Sequence, residues 1–394
     1  MSQSEIAHTP AAETRGARPT WAEIDLDALA SNFRAVRERV GAGVCVMGVV
    51  KADAYGHGAR ACARRLAAEG AEWFGVALVE EGIELRESGV TRPVLCFGGF
   101  WEGQEEACLR FDLVPVVYRL DMAAALDRAA RGAGVVRDVH VEIDTGMGRL
   151  GVRHEGAREF AAAMNRFRNV RVDGLMTHFA AADEPRRDPF TAEQVARFRE
   201  AVRIFRAHGH RPTYEHMANS AGALAHPEAR GNMVRPGGVL YGLWRDVLPP
   251  LPERDLPALR PVMSLRSKTI LVKPVRRGET LGYGCTFEAE REMLVATLPL
   301  GYDDGYMRAL SNRGRVVVRG RVAPVVGRVS MDLTLVDVTD VPGVSVGDVV
   351  TLLGADGPAQ VAAEDLAAAA GTLSYEVTCG VSPRVPRIIK ESKS

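Results

Sequence analysis

The sequence predicts an α/β fold, a (β/α)8 TIM-type barrel followed by a C-terminal mainly-β domain, and three observations carry that prediction. Eight short apolar runs alternate with Ala/Arg/Glu-rich segments of helical periodicity: Val44 to Val50, Phe74 to Leu78, Val94 to Phe97, Leu113 to Val117, Val139 to Ile143, Val172 to Met176, Tyr214 to Met217 and Met233 to Leu240. Continuous apolar strands between amphipathic helices indicate a parallel sheet. Eight such units suit a closed barrel better than an open, doubly wound sheet, which stays as the alternative. After about Trp244 the texture changes, because Pro249, Pro250, Pro252, Pro257 and Pro261 punctuate the chain and helical periodicity fades. Beyond Met263, runs such as Thr269 to Val272, Met293 to Thr297, Arg315 to Val318, Val322 to Val326, Thr334 to Val336 and Val349 to Leu353 are separated by Gly, Pro and Asp turns, as short antiparallel strands are.

Taken in order, residues 1–19 form a polar arm without the apolar stretch of a secretory leader, expected to be disordered. Thr20 to Ile24 is strand-like, precedes the barrel and is a candidate to pair with the second domain. Asp25 then caps a helix whose apolar positions are Leu26, Leu29, Ala30, Phe33, Val36 and Val40. The barrel is expected over 20–255 and the β-rich domain over 256–394, with one alanine-rich helix at Val361 to Ala370. At 394 residues the chain is long enough for two packed cores. Lys plus Arg equals Asp plus Glu, 50 of each, so no basic field exists to gather nucleic acid or anionic lipid. No run approaches the length of a spanning helix, and a cytoplasmic protein is expected. The six cysteines lack any C-x-x-C pair and read as buried thiols, with no disulfide framework and no metal site expected.

Lys51 is the only lysine in the first 267 residues of an arginine-rich chain, and it follows the first barrel strand in Val50-Lys51-Ala52-Asp53-Ala54-Tyr55-Gly56-His57-Gly58. Active sites of such barrels sit at the carboxyl ends of the strands. A partly desolvated lysine can form a Schiff base or act as a base, which arginine cannot. An ordinary surface lysine is the bland alternative. Tyr55 could return its hydroxyl to the same mouth or be a packing aromatic. After the eighth strand, Arg235-Pro236-Gly237-Gly238 offers free N–H groups for an anion, as phosphate-binding turns do, although most Gly-Gly pairs are merely turns. Ser220, after Asn219, supplies a hydroxyl or a helix N-cap. In Asp144-Thr145-Gly146-Met147-Gly148-Arg149-Leu150-Gly151, Arg149 sits on a tight loop where it could hold a carboxylate, or pair with Glu142 or Asp144. His178 in Thr177-His178-Phe179 is an orienting group or a packing residue.

These pieces together resemble the alanine racemase family of fold-type III pyridoxal-phosphate enzymes. The lysine motif is similar to the family's signature. The match continues in family order through Asp144 to Gly151, Thr177 to Phe179, Ala218 to Ser220, Val234 to Gly237, Gly282-Tyr283-Gly284, Gly301 to Tyr306, Val326 to Asp332 and Tyr375-Glu376-Val377. The resemblance implies that Lys51 carries pyridoxal 5'-phosphate as a Schiff base. It implies that Tyr55, Ser220, Tyr375 and the Gly237 and Gly238 amides bind its phosphate, and that Arg235 faces its ring nitrogen. It further implies racemisation of alanine by two bases, Lys51 on one face and Tyr283 of the partner subunit on the other, in a homodimer with shared sites. His178 would orient the phenol, Arg149 and the Met331 amide would grip the substrate carboxylate, and Tyr302 and Tyr375 would narrow the entrance. Asn219 and Asp332 would support these groups. Many relatives carry a lysine, often carbamylated, where this chain has Glu142, so Glu142 is expected to position Arg149 without a carbamate. Ser330 stands where cysteine is common. A broad-specificity or serine-preferring racemase is the nearer alternative and a fold-type III decarboxylase the more distant one. A non-catalytic single-barrel cofactor carrier would lack the second domain.

Overall fold

The computed structural model describes residues 18–252 and 258–392. The expectation for the arm falls largely on residues 1–17, and the expected boundary at 255/256 falls in 253–257; both lie outside the described residues. The chain divides into two compact units: one of Ile24 and the described residues before it, Met263–Thr372 and Gly380–Lys390, the other of Asp25–Val262 and Leu373–Cys379, with Glu391 and Ser392.

The Asp25–Val262 unit is an eight-stranded parallel barrel. Its strands are Cys45–Val49, Trp73–Val76, Val94–Cys96, Leu113–Val117, Arg137–Asp144, Val170–Met176, Tyr214–His216 and Met233–Val234. The eighth strand pairs with the first and the rest follow in chain order. The seventh and eighth are bridged by Asn232 N–H donating to the Glu215 carbonyl at 3.2 Å and Arg235 N–H to the Ala218 carbonyl at 3.0 Å. Met47, Trp73, Leu95, Val114, Val116, Met176 and Met233 fill the interior. The first helix, Leu26–Val40, starts as its sequence requires, with the Asp25 carboxylate accepting from Ala28 N–H at 2.7 Å.

Two of the expected strands stop two or more residues before their apolar runs do. The eighth stops at Val234, because Pro236 cannot donate to a ladder and the chain turns into a 3-10 segment at Gly238–Tyr241. The second stops at Val76, where the Glu81 carboxylate takes the Ala77 and Leu78 N–H groups and opens the next helix. The cysteines also differ from expectation. Cys62, Cys96 and Cys108 are buried and Cys45 half-buried, but Cys285 and Cys379 are exposed, standing in a turn and at a helix end.

The β-rich unit contains a seven-stranded, mainly antiparallel sheet ordered Arg321–Pro324, Arg315–Val318, Val349–Asp356, Met263–Lys268, Thr20–Asp25, Arg387–Lys390, with Ala359–Val361 joined to Val349–Asp356. Thr20 to Ile24 pairs with Ser267 to Met263. A three-stranded sheet of Leu271–Val275, Met293–Leu298 and Thr334–Asp337 packs its own core of Val275, Leu281, Met293, Val295 and Val326. The alanine-rich helix spans Ala363–Ala370, two residues later than its apolar run because Val361 ends a strand.

Candidate active site

Lys51 opens the turn after the first barrel strand, and the backbone of that turn is unusual. Ala52, Asp53, Ala54 and Tyr55 all have φ between 52° and 55°. Left-handed backbone costs a non-glycine residue about 1–2 kcal/mol. Four in succession persist only because the surroundings fix them. Ala54 N–H donates to the Val50 carbonyl at 2.9 Å and Gly56 N–H to the Ala52 carbonyl at 2.9 Å. The Glu81 carboxylate accepts Ala52 N–H at 2.6 Å, and Asp53 accepts Ala59 N–H at 2.7 Å. At the end of the left-handed turn Tyr55 is 9% exposed.

Tyr55 then meets the glycine turn of the eighth strand. A Cβ on Gly237 would fall inside contact distance of the Tyr55 hydroxyl, and a Cβ on Gly238 would collide with the Tyr375 ring and hydroxyl. The rings of Tyr55 and Tyr375 lie 5.3 Å apart. Ser220 Oγ accepts Gly237 N–H at 3.0 Å. The helix N-cap is Asn219 rather than Ser220: its side-chain oxygen accepts Gly222 N–H at 2.9 Å and leaves the serine hydroxyl facing the cradle. Tyr375 belongs to Leu373–Cys379, which joins the barrel unit through Ser374, whose N–H and Oγ both donate to the Asp246 carboxylate at 2.7 Å. Two phenols, a serine hydroxyl that accepts the Gly237 N–H, and the Gly238 backbone thus converge where side chains are excluded. This donor set fits a phosphate.

Arg235 is 4% exposed, and a buried guanidinium is costly unless its donors are satisfied. It donates to the Thr177 and Met217 carbonyls at 2.8 and 3.1 Å, to His216 Nδ1 at 2.9 Å, and has His178 Nδ1 at 3.4 Å. Because His216 Nδ1 accepts, its Nε2 carries the hydrogen and donates to His140 Nδ1 at 2.8 Å. His140 Nε2 has no partner among the described residues and lies beside the rings of Trp73 and Tyr214. Burial and then the Arg235 charge push His140 and His178 down to about 3, so both are neutral. Burial lowers Arg235 to about 10, which leaves it cationic near neutral pH. Lys51 is also lowered, by burial first and by Arg149 next. Tyr55 and Tyr375 are raised, chiefly by burial, and remain protonated donors.

Arg149 is exposed on the loop after the fifth strand. Among the described residues it forms no ion pair with Glu142 or Asp144. Asp144 instead accepts Gly146 and Gly148 N–H at 2.9 and 3.0 Å and pairs with Arg153 at 3.3 Å. Glu142 is 4% exposed, its carboxyl raised by burial against the opposing pull of Arg235 and Arg149.

Five further residues singled out in the sequence meet elsewhere, in the β-rich unit. Tyr283, Tyr302, Ser330, Met331 and Asp332 line one pocket of about 340 Å³, together with Arg308 and Arg328. Tyr283 stands 72% exposed at the tip of a hairpin formed by Thr280–Leu281 and Phe287–Glu288, on a turn with positive φ at Gly282, Gly284 and Cys285. Leu281 and Phe287 root that hairpin in the core. The two pocket arginines were not anticipated, because an exposed arginine in an arginine-rich chain carries no signal. His140 and His216 carried no distinct signal either, because each shares its strand with other polar residues.

Two family models match the chain: alanine racemase, N-terminal domain, over residues 24–244, and alanine racemase, C-terminal domain, over residues 262–389. The alanine racemase of Geobacter sulfurreducens is 48% identical over 377 residues, covering 94% of this chain and 97% of that protein. The crystal structure of alanine racemase from Streptomyces lavendulae superposes with a TM-score of 0.89 at 36% identity, covering 95% of this chain and 98% of that one. That of the Bacillus anthracis enzyme with bound L-Ala-P gives a TM-score of 0.86 at 32% identity, covering 95% of each. Matched along both units and by solved structures of the same architecture, the chain belongs to the alanine racemase family.

Proposed function

We propose that this chain interconverts L- and D-alanine with pyridoxal 5'-phosphate as cofactor, as a homodimer in which each site joins the barrel mouth of one protomer to the β-rich pocket of its partner. The observation that carries this reading is the barrel mouth itself, where a lysine of lowered pKa shares one face with a phosphate cradle and a buried arginine. Tyr55, Tyr375, Ser220 and the Gly237 and Gly238 amides would hold the phosphate, Lys51 the carbonyl carbon and Arg235 the ring nitrogen. When bound, the cofactor supplies an electron sink that acidifies the substrate's α-hydrogen. Arg235 donates hydrogen bonds and keeps its own proton, so a ring nitrogen facing it stays unprotonated.

Inverting a carbon centre requires a base on each face, because a proton taken from one side must return on the other. Lys51 serves one face, its lowered pKa enlarging the neutral fraction available as base. Tyr283 of the partner subunit serves the other, with His178 orienting that phenol. Arg149 and the Met331 N–H hold the substrate carboxylate, Tyr302 and Tyr375 restrict its side chain, and Glu142 supplies the negative charge behind Arg149. Asn219 and Asp332 stabilise the segments that present Ser220 and Met331.

The activity is tested by incubating the holoenzyme with a panel of L-amino acids and resolving products by chiral chromatography. Alanine is expected to racemise fastest, whereas release of carbon dioxide or a preference for serine would reject the reading. Shared sites are tested by mixing Lys51→Ala with Tyr283→Phe after unfolding and refolding together. Random pairing restores one intact site in half the dimers, roughly a quarter of wild-type activity. Two inactive chains that stay inactive when mixed would exclude a shared site.

A further inference from the structure

Tyr302 and Met331 stand on two turns of the β-rich unit that meet backbone to backbone. Tyr302 N–H donates to the Ser330 carbonyl at 3.0 Å and Asp303 N–H to the Met331 carbonyl at 3.2 Å. A Cβ on Gly301 would collide with both of those carbonyl oxygens, so only glycine permits the approach. A third segment packs against them where Ser382 N–H donates to the Asp304 carbonyl at 3.2 Å. From that segment Arg384 reaches back across both turns. Its guanidinium pairs with Asp303, one residue beyond Tyr302, and with Asp332, one residue beyond Met331, at 2.8 Å. Its Nε lies 3.6 Å from Asp304. Asp304, fully buried, is gripped by both Arg18 terminal nitrogens, at 2.9 and 2.5 Å, and accepts Gly301 N–H at 2.9 Å.

We propose that Arg384 is a positioning residue of the substrate pocket: by bridging Asp303 and Asp332 it fixes the separation of Tyr302 from Met331, and with it the size of side chain the pocket admits. This rests on the reading above that Tyr302 and Met331 face the substrate. A planar guanidinium can span two carboxylates at once, which a lysine ammonium does less well. Stability is not the main output of the bridge. The Arg384, Asp303 and Asp332 side chains are 41%, 51% and 56% exposed, and pairs at such exposure contribute little to global stability. Without the guanidinium, Asp303 and Asp332 would face each other as like charges and drive the two turns apart, while Asp304 stays paired with Arg18. The direction is therefore specified: the pocket opens.

The experiment compares full-length holoenzymes of wild type, Arg384→Gln, Arg384→Lys and the double variant Arg384→Gln/Asp332→Asn. Arg384→Gln is expected to raise KM for alanine about tenfold with kcat within about twofold, since a small misplacement of binding groups suffices. It should also raise kcat/KM for serine relative to alanine about fivefold, while cofactor absorbance and thermal midpoint stay near wild type. Removing one repelling carboxylate in the double variant should recover part of the KM loss, a coupling expected only between groups in contact. Arg384→Lys should fall between, and carries the same test if the glutamine variant does not fold. An unchanged KM and serine-to-alanine ratio overturns the proposal, as does a loss that tracks the thermal midpoint alone. A wild type inert toward alanine overturns the functional reading and the bridge together, whereas an active wild type with an indifferent Arg384→Gln overturns the bridge only.

Discussion

The barrel mouth and the β-rich pocket carry comparable polar groups in opposite physical states. At the mouth, Arg235, Ser220 and Tyr55 are 4%, 6% and 9% exposed, and burial displaces the pKa of Lys51, His178, Arg235, Tyr55 and Tyr375. In the pocket, Tyr283, Met331 and Tyr302 are 72%, 51% and 41% exposed. Preorganised dipoles act strongly only where water is excluded. The mouth is therefore built in advance to bind and hold, while the pocket presents a phenol whose use as a base awaits a cover. A second copy of the chain supplies that cover in the proposed dimer.

The largest expected effects divide along this line. Lys51→Ala should remove both turnover and the cofactor absorbance at the visible edge. Tyr283→Phe should cost about 10³-fold in kcat, within the range of general acid–base catalysis, while the absorbance survives. Loss of absorbance in the phenylalanine variant would erase the contrast. Next in size is Gly238→Ala, whose methyl group displaces the Tyr375 ring from the cradle. Cofactor affinity should fall about 100-fold, corresponding to about 3 kcal/mol. Pyridoxal phosphate titration checks this, and a normal affinity would show that the cradle is not where the phosphate sits.

How much of this was legible in the sequence follows the same division. The barrel was readable because eight apolar runs at regular spacing have few other solutions, and Asp25 marked its helix start as capping chemistry requires. The left-handed turn at Ala52–Tyr55 was not, since no glycine or asparagine occupies it and its conformation is imposed by Glu81 and Val50 from outside the segment. Nor was the return of Leu373–Cys379 to the barrel, which depends on a hydrogen-bonded contact with Asp246 at a separation of 128 residues. Residue roles at the site came from the ordered motifs. The His216–His140 chain behind Arg235 was not legible, since other polar residues share both strands and only the fold brings the two rings together.

That chain gives a pH test of the comparison. His140 and His216 are fully buried and their pKa values are pushed down, by burial first and then by Arg235. In the unfolded chain both return to about 6.5. Below that value the unfolded state binds more protons, so stability falls as pH drops from about 6.5 towards the depressed folded values. Between pH 6.5 and 5.5 the two together should cost roughly 2 kcal/mol. No histidine occurs between Met263 and Lys390, so the β-rich unit lacks this source of acid sensitivity. Hydrogen exchange of the two units at both pH values should show selective loss of protection in the barrel; equal loss would break the comparison, and His140→Asn should reduce the selective part.

The smallest expected effect concerns Glu142, which links the buried and exposed sides of the mouth. Its carboxyl is raised by burial and drawn back by Arg235 before Arg149. Among the described residues no ion pair within 4 Å joins it to Arg149, so its influence on that exposed loop is exerted by its field rather than by a clamp. Glu142→Gln keeps the shape and removes the charge. If the field acts on Arg149, KM for alanine should rise about fivefold, about 1 kcal/mol, with kcat and cofactor absorbance unchanged and bicarbonate without effect in either protein. If it acts mainly on Arg235, the cofactor absorbance should shift at constant KM, and the glutamate would then belong wholly to the preorganised half of the site. An unchanged KM with an unshifted spectrum would leave the buried negative charge without a part in either half.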